Sequence, residues 1–262
     1  MAGEDHDRLG SAEWPEIVRK IRARTPARLL AGRSGAAYRT ATQLELRQAH
    51  AAARDAVRLE FDLQRDLGAD FARKGELLEV RTQAADKDEY LLHPDLGRQF
   101  TPQSRDALLK QCPPGRDLQI VIGDGLSVAA VSAQVPALAE LLFEGARARN
   151  WTLGRTFAVR YCRVGILNQI GDLLVPQVAV LLIGERPGLA TAESLSAYMA
   201  YRPQKGHTDA DRNLISNIHQ RGVGPREAAD RILNLAARMM ATQISGFRLR
   251  EELPVSDDRQ LG

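Results

Sequence analysis

Cysteine is nearly absent from this chain of 262 residues: Cys112 and Cys162 are the only two, far apart and in no C-x-x-C pair. That excludes a disulfide framework and a structural zinc site, and it leads us to expect a reducing, cytoplasmic setting. No window reads as the roughly 20 consecutive apolar residues of a membrane span. The opening "MAGEDHDRLGSAEW" is acidic and polar, unlike a signal peptide or an anchor. The net charge is only +3, with no basic cluster or nucleic-acid motif, so a nucleic-acid binder is not expected. The histidines do not gather. His6, His50, His93, His207 and His219 form no H-x-x-x-H or H-E-x-x-H, which excludes a protein-built metal site of that kind. Ser127, Ser194 and Ser196 lie in no G-x-S-x-G elbow. A complete catalytic constellation is missing altogether.

What is present is an α/β pattern. Residues 1–12 and 251–262 are charged or polar and are expected to be flexible. A helical N-terminal region spans 13–75. It includes a helix opened by Thr25 as cap and Pro26 at the first position, stopped at Gly32, and a long run of strong helix formers over 40–61. The α/β domain spans 76–250, with its core from about 115. Apolar strands are expected at 76–82, 118–125, 155–164, 177–184 and 195–202, separated by helical stretches. Pro136 should kink or split the helix after the second of these. The stretch "PQKGHTDADRN" reads as a polar insert, and Pro225 opens the last helix. Strands apolar on both faces and bounded by helices imply a Rossmann-like, mainly parallel sheet covered by helices.

In such a sheet, ligands bind beyond the carboxyl ends of the strands. Three ends are readable: "GDGLS" (123–127), "CRVG" (162–165) and "GERPG" (184–188). The first has two glycines of a dinucleotide loop but not the full G-x-G-x-x-G. A strand-to-helix turn needing positive φ explains it as well, with Asp124 as a possible helix cap. "GERPG" is followed by no G-K-[ST] and is not a phosphate loop of that type. Glu185 suits hydrogen bonds from an amide or hydroxyl ligand, and Arg163 and Arg186 suit a phosphate or a partner surface. A solvated turn is the alternative for this loop. The cobalamin-binding box D-x-H-x-x-G does not occur.

Several segments in order resemble the small subunit of ethanolamine ammonia-lyase. They include "TPARLLAGRSG", "LLEVRTQAADKDEYLLHPDLGR", "VRYCRVGILNQIGDLL", "VLLIGERPGLATAESLSAYMAYRP", "DADRNLISNIHQRG" and "AADRILNLAARMM", between about 25 and 246. The resemblance implies a lyase that converts ethanolamine to acetaldehyde and ammonia with adenosylcobalamin. A separate large subunit would carry substrate and radical chemistry, and this chain would cover the cofactor at the interface. It implies cofactor contacts at Val164, Glu185 and Leu214. The chain departs from the family at two points, with Leu214 in place of a cysteine and Cys162 in place of the glycine of Gly-Arg-Val. The family does not use a protein histidine as the lower cobalt ligand, which agrees with the missing box. The enzyme would be cytoplasmic, free or within a bacterial microcompartment. The N-terminal helices would dock on the large subunit or on their own domain. A stand-alone doubly wound nucleotide-binding enzyme and a pure scaffold are the competing readings.

Overall fold

The computed structural model describes residues 16–24, 33–188 and 191–251. The expected cap at Thr25 and Pro26, the stop at Gly32 and, Glu251 apart, the ends expected to be flexible lie outside the described residues.

A six-stranded sheet runs in the order β3-β5-β4-β6-β7-β8. β3 (Leu78–Arg81), β5 (Phe157–Arg160), β4 (Leu118–Gly123) and β6 (Val178–Gly184) are parallel. β7 (Leu195–Tyr201) and β8 (Asn213–Ile218) continue the sheet antiparallel. The α/β class and the mainly parallel sheet expected from the sequence are therefore found. The strand β8 was not expected, because "NLISNI" buries only Ile215 and Ile218 and shows neither a continuous apolar run nor strict alternation.

Side chains of each central strand part to two cores. Ile120, Ile122, Val180, Leu182, Ala197 and Met199 meet helices α7 (Val128–Ala148) and α9 (Pro225–Thr242). Val121, Val159, Leu181 and Ile183 meet α6 (Pro102–Gln111) and α8 (Ile166–Leu174). Burial on both faces is what made these strands read as continuous apolar runs.

Helix α7 is continuous through Pro136, against the expected kink or split. Proline frees the carbonyl four residues earlier, here that of Ser132. Ser132 is exposed, so water can satisfy that oxygen. α7 is also long and apolar enough by composition to cross a membrane, against the expectation that no window would be. Its apolar side chains Val131, Val135, Leu138 and Leu142 are fully buried in the core of this domain.

The N-terminal region is not wholly helical. After α1 (Glu16–Ala23), a minimal pairing of β1 (Arg33–Ser34) with β2 (Ala37–Tyr38) precedes α2 (Thr40–Arg58). α2 buries no residue fully. The following α3 (Leu63–Leu67) and α4 (Ala69–Lys74) bring Phe61, Leu67 and Phe71 onto the α7 core, so this part packs on its own domain. A short helix α5 (Lys87–Leu92), capped by Asp86, follows β3.

Helix α8 lies against the segment after β7 at Gly171. A Cβ there would come within 1.5 Å of the Pro203 carbonyl oxygen. Because both partners are backbone, no side chain can swing away. Gly171→Ala is expected to cost about 3 kcal/mol as overpacking, read as a lower urea midpoint at unchanged slope.

Candidate functional site

The three strand ends singled out by the sequence meet at the carboxyl end of the parallel strands. Gly125 adopts φ +58°, and a Cβ there would lie 2.3 Å from the Gly184 carbonyl oxygen. The glycine thus serves both a left-handed turn and a close backbone approach. The Leu126 N–H donates to that same Gly184 oxygen at 3.0 Å. A strand-to-helix turn is what "GDGLS" forms, and its backbone is closed onto β6 instead of standing open for a pyrophosphate.

Asp124 does not cap α7; Ser127 does, accepting from the Ala130 N–H at 3.2 Å. The Asp124 carboxylate instead accepts the Tyr161 N–H at 2.9 Å and the Cys162 N–H at 2.8 Å. It also faces the Lys87 Nζ at 3.6 Å, with side-chain exposures of 1% and 7% for the acid and the base. Burial pushes the carboxyl up, while the Lys87 ammonium and the two amides pull it down. α7 leaves β4 toward one face and α8 follows β5 on the other. Asp124 with Lys87 therefore fills the crevice where a doubly wound sheet would hold a ligand. It also fixes the loop that carries Arg163 and Val164.

The carboxylate of Glu185 is held from two strands. Its Oε2 accepts the Ser194 hydroxyl at 2.7 Å, and its Oε1 accepts the Ser196 hydroxyl and, at 3.1 Å, the Asn217 N–H. The Asn217 N–H reaches it because β8 bulges. Leu195 pairs with Ile218 and Ala197 with Ile215, so β8 carries an extra residue there, and Asn217 sits at φ +60°. Bulges re-aim a backbone group in this way. The bulge is locked by "ISNIHQRG" itself. The buried His219 places its Nε2 2.8 Å from Asn217 Oδ1, and the Asn217 carbonyl accepts the Val223 N–H at 2.9 Å. At Gly222, a Cβ would lie 2.3 Å from that carbonyl oxygen.

Leu214 lies on β8 directly opposite Tyr198 of β7 and is 46% exposed. Tyr198 packs toward the α8 core, so Leu214 faces the same side. Val164 and Tyr198 line one cavity of about 900 Å³ between α8 and the 205–212 segment. Burial, then Asp209 and Glu185, raise the Tyr198 phenol above its ordinary value. Ser196, bonded to Glu185, and Tyr198 alternate to the same face of β7, so Val164, Glu185 and Leu214 lie on the α8 face, where among the described residues no helix covers β7 and β8.

The sequence profile of the family Ethanolamine ammonia-lyase light chain (EutC) matches residues 15–250. The chain is also similar to the ethanolamine ammonia-lyase small subunit of Clostridium perfringens, 41% identical over 235 residues, covering 90% of this chain and 78% of that relative. The chain belongs to the ethanolamine ammonia-lyase light chain family. It is a subunit chain of a lyase.

Of the two arginines flagged in this light chain, Arg186 is exposed. Arg163 lines the cavity, its guanidinium 4.2 Å over the Tyr90 ring. The sequence did not single out Tyr198 on β7, Asn168 on α8, or His207 and Arg212, which lie in the expected polar insert that had no assigned place. The segment is in fact structured. Thr208 and Asp211 form a capping box, with the Thr208 N–H 2.8 Å from Asp211 Oδ2; the signal was the T-x-x-D spacing.

Two outcomes are expected. Asp124→Asn strands a buried Lys87 and should lower stability by about 3–5 kcal/mol in urea unfolding. The Thr208 N–H and hydroxyl hold the Asp211 carboxyl below the usual range. A depressed folded value means that this contribution exists above the unfolded value, near 4, and is lost as pH falls through the folded one. The stability deficit of Asp211→Ala should thus be present at pH 7 and shrink below about pH 4 in urea midpoints taken across pH.

Proposed function

We propose that this light chain binds adenosylcobalamin on the α8 face of its sheet, at the interface with a large subunit, in an enzyme converting ethanolamine to acetaldehyde and ammonia. The observation that carries the reading is the gathering of Val164, Glu185 and Leu214 on one face left open by helices. The exposed Leu214 beside a polar cavity is what a large ligand with an apolar ring and a polar periphery would cover. Sites of this kind are mostly apolar with a few placed polar groups.

The residues fit the group. Glu185 keeps acceptor capacity beyond its three internal bonds, since a carboxylate offers about four lone-pair sites; the amide-rich edge of a corrin supplies donors. Val164 and Leu214 offer apolar contact and exclude water. When bound, the cofactor supplies the radical chemistry. This chain's side chains hold and orient it. The Ser194 and Ser196 hydroxyls and the Asn217 amide fix the Glu185 carboxylate in advance, which lowers the entropy lost on binding. Leucine in place of the family's cysteine at 214 serves a packing role without a thiol.

The reading is tested with the two subunits expressed separately and recombined. Cofactor-dependent turnover of ethanolamine should require both, and this chain alone should show none. In the recombined enzyme, Glu185→Ala should weaken adenosylcobalamin binding about tenfold, the value of one charge-assisted hydrogen bond. The rate of the loaded complex should change less. A slowed loaded enzyme with unchanged affinity would instead assign the loop to chemistry.

A further inference from the structure

His219 is 5% exposed, and both of its ring nitrogens are engaged. The Arg221 N–H donates to Nδ1 at 3.2 Å, and Nε2 lies 2.8 Å from Asn217 Oδ1. A neutral imidazole offers one donor and one acceptor. Because Nδ1 accepts, the proton sits on Nε2 and is donated to Asn217. The bond at one nitrogen thus sets the tautomer at the other. The turn closes around the ring as well. The His219 N–H donates to the Val223 carbonyl at 3.1 Å, and the Gly222 N–H donates to the His219 carbonyl at 2.9 Å.

The Asn217 backbone would not hold its shape alone. It stands at φ +60°, a left-handed conformation that is costly for a residue with a Cβ and persists only where its surroundings over-determine it. Asn217 is exposed, so packing does not fix it. Two bonds do: its carbonyl accepts the Val223 N–H at 2.9 Å, and its Oδ1 accepts the His219 ring N–H. The backbone N–H of this same residue donates to Glu185 Oε1 at 3.1 Å. Ser194 and Ser196 reach that carboxylate from beside and on β7, and Asn217 is its partner from β8. A chain of two hydrogen bonds therefore runs from a buried imidazole to the carboxylate on the open face.

We propose that His219, as the Nε2–H tautomer, is a positioning residue: it holds Asn217 so that the Asn217 amide aims the Glu185 carboxylate, and by that route it sets the affinity for adenosylcobalamin. The inference rests on the cofactor reading above and deepens it. The ring spends both nitrogens inside the protein and offers none to a ligand. What position 219 supplies is a donor where Nε2 stands; the Arg221 N–H only decides which nitrogen donates.

The experiment is a double-mutant cycle on the recombined two-subunit enzyme, read as adenosylcobalamin affinity. His219→Asn keeps an acceptor near the place of Nδ1 but no donor at Nε2. It should weaken binding about 3- to 10-fold, the worth of one net hydrogen bond, and change the rate of the loaded complex less. His219→Gln reaches the Nε2 place with an amide N–H and should restore most of that affinity. In a Glu185→Ala background, His219→Asn should add less than about a twofold loss, because both side chains act through one contact. Asn217→Gly keeps the positive φ without Oδ1; it should weaken binding similarly, and His219→Asn should add little to it. Urea midpoints on the same variants report folding separately. No loss for His219→Asn, a His219→Gln no better than His219→Asn, or equal losses with and without Glu185 would overturn the positioning role. An unchanged affinity for Glu185→Ala itself would overturn the cofactor reading.

Discussion

One carboxylate, that of Glu185, sits where the sheet changes from parallel to antiparallel and joins the strands on either side of that change. It leaves the end of β6, takes the hydroxyls of Ser194 and Ser196 beside and on β7, and takes the Asn217 amide from the bulge of β8. Strand pairing alone does not require any of this. The bulge brings the Asn217 amide to the carboxylate, and it is closed by His219, Val223 and Gly222 around Asn217. Removing one partner from such a network leaves the others unpaired, which costs more than any single hydrogen bond contributes.

The change of strand direction also decides where a ligand can lie. Helix α8 covers the parallel strands, while β7 and β8 extend beyond it with Tyr198 and Leu214 on the same side. At the switch point between β4 and β5, where an open sheet of this class ordinarily receives its ligand, the buried Asp124 and Lys87 occupy the crevice. The proposed binding face is therefore displaced sideways along the sheet. The loop after β5 still reaches it, because Asp124 fixes the Tyr161 and Cys162 amides and so sets where Arg163 and Val164 project.

Much of the fold was legible because its signals are local. β4 and β6 are apolar on both faces, and Gly123, Gly125 and Gly184 mark strand ends that do meet. Pro225 opens α9 as expected. The misreadings have separate physical causes. β8 is half polar, since one face of it is open, so it lacks the pattern of a covered strand. The insert before it looked unstructured because its order comes from Thr208, Asp211 and a contact with Asn168, not from apolar periodicity. Pro136 looked like a break, yet the freed carbonyl lies toward water.

By itself the sequence determined the secondary structure of the covered strands and helices, the glycines that let three loops close together, and the family, because those depend on neighbours in the chain. Tertiary structure alone decided that Val164, Glu185 and Leu214 lie on the α8 face, that Asp124 binds a loop instead of capping a helix, and that Arg163, His207 and Arg212 line one cavity. These depend on residues far apart in sequence, brought within a few ångströms by strand order and by a one-residue bulge. Neither leaves a mark in any local window.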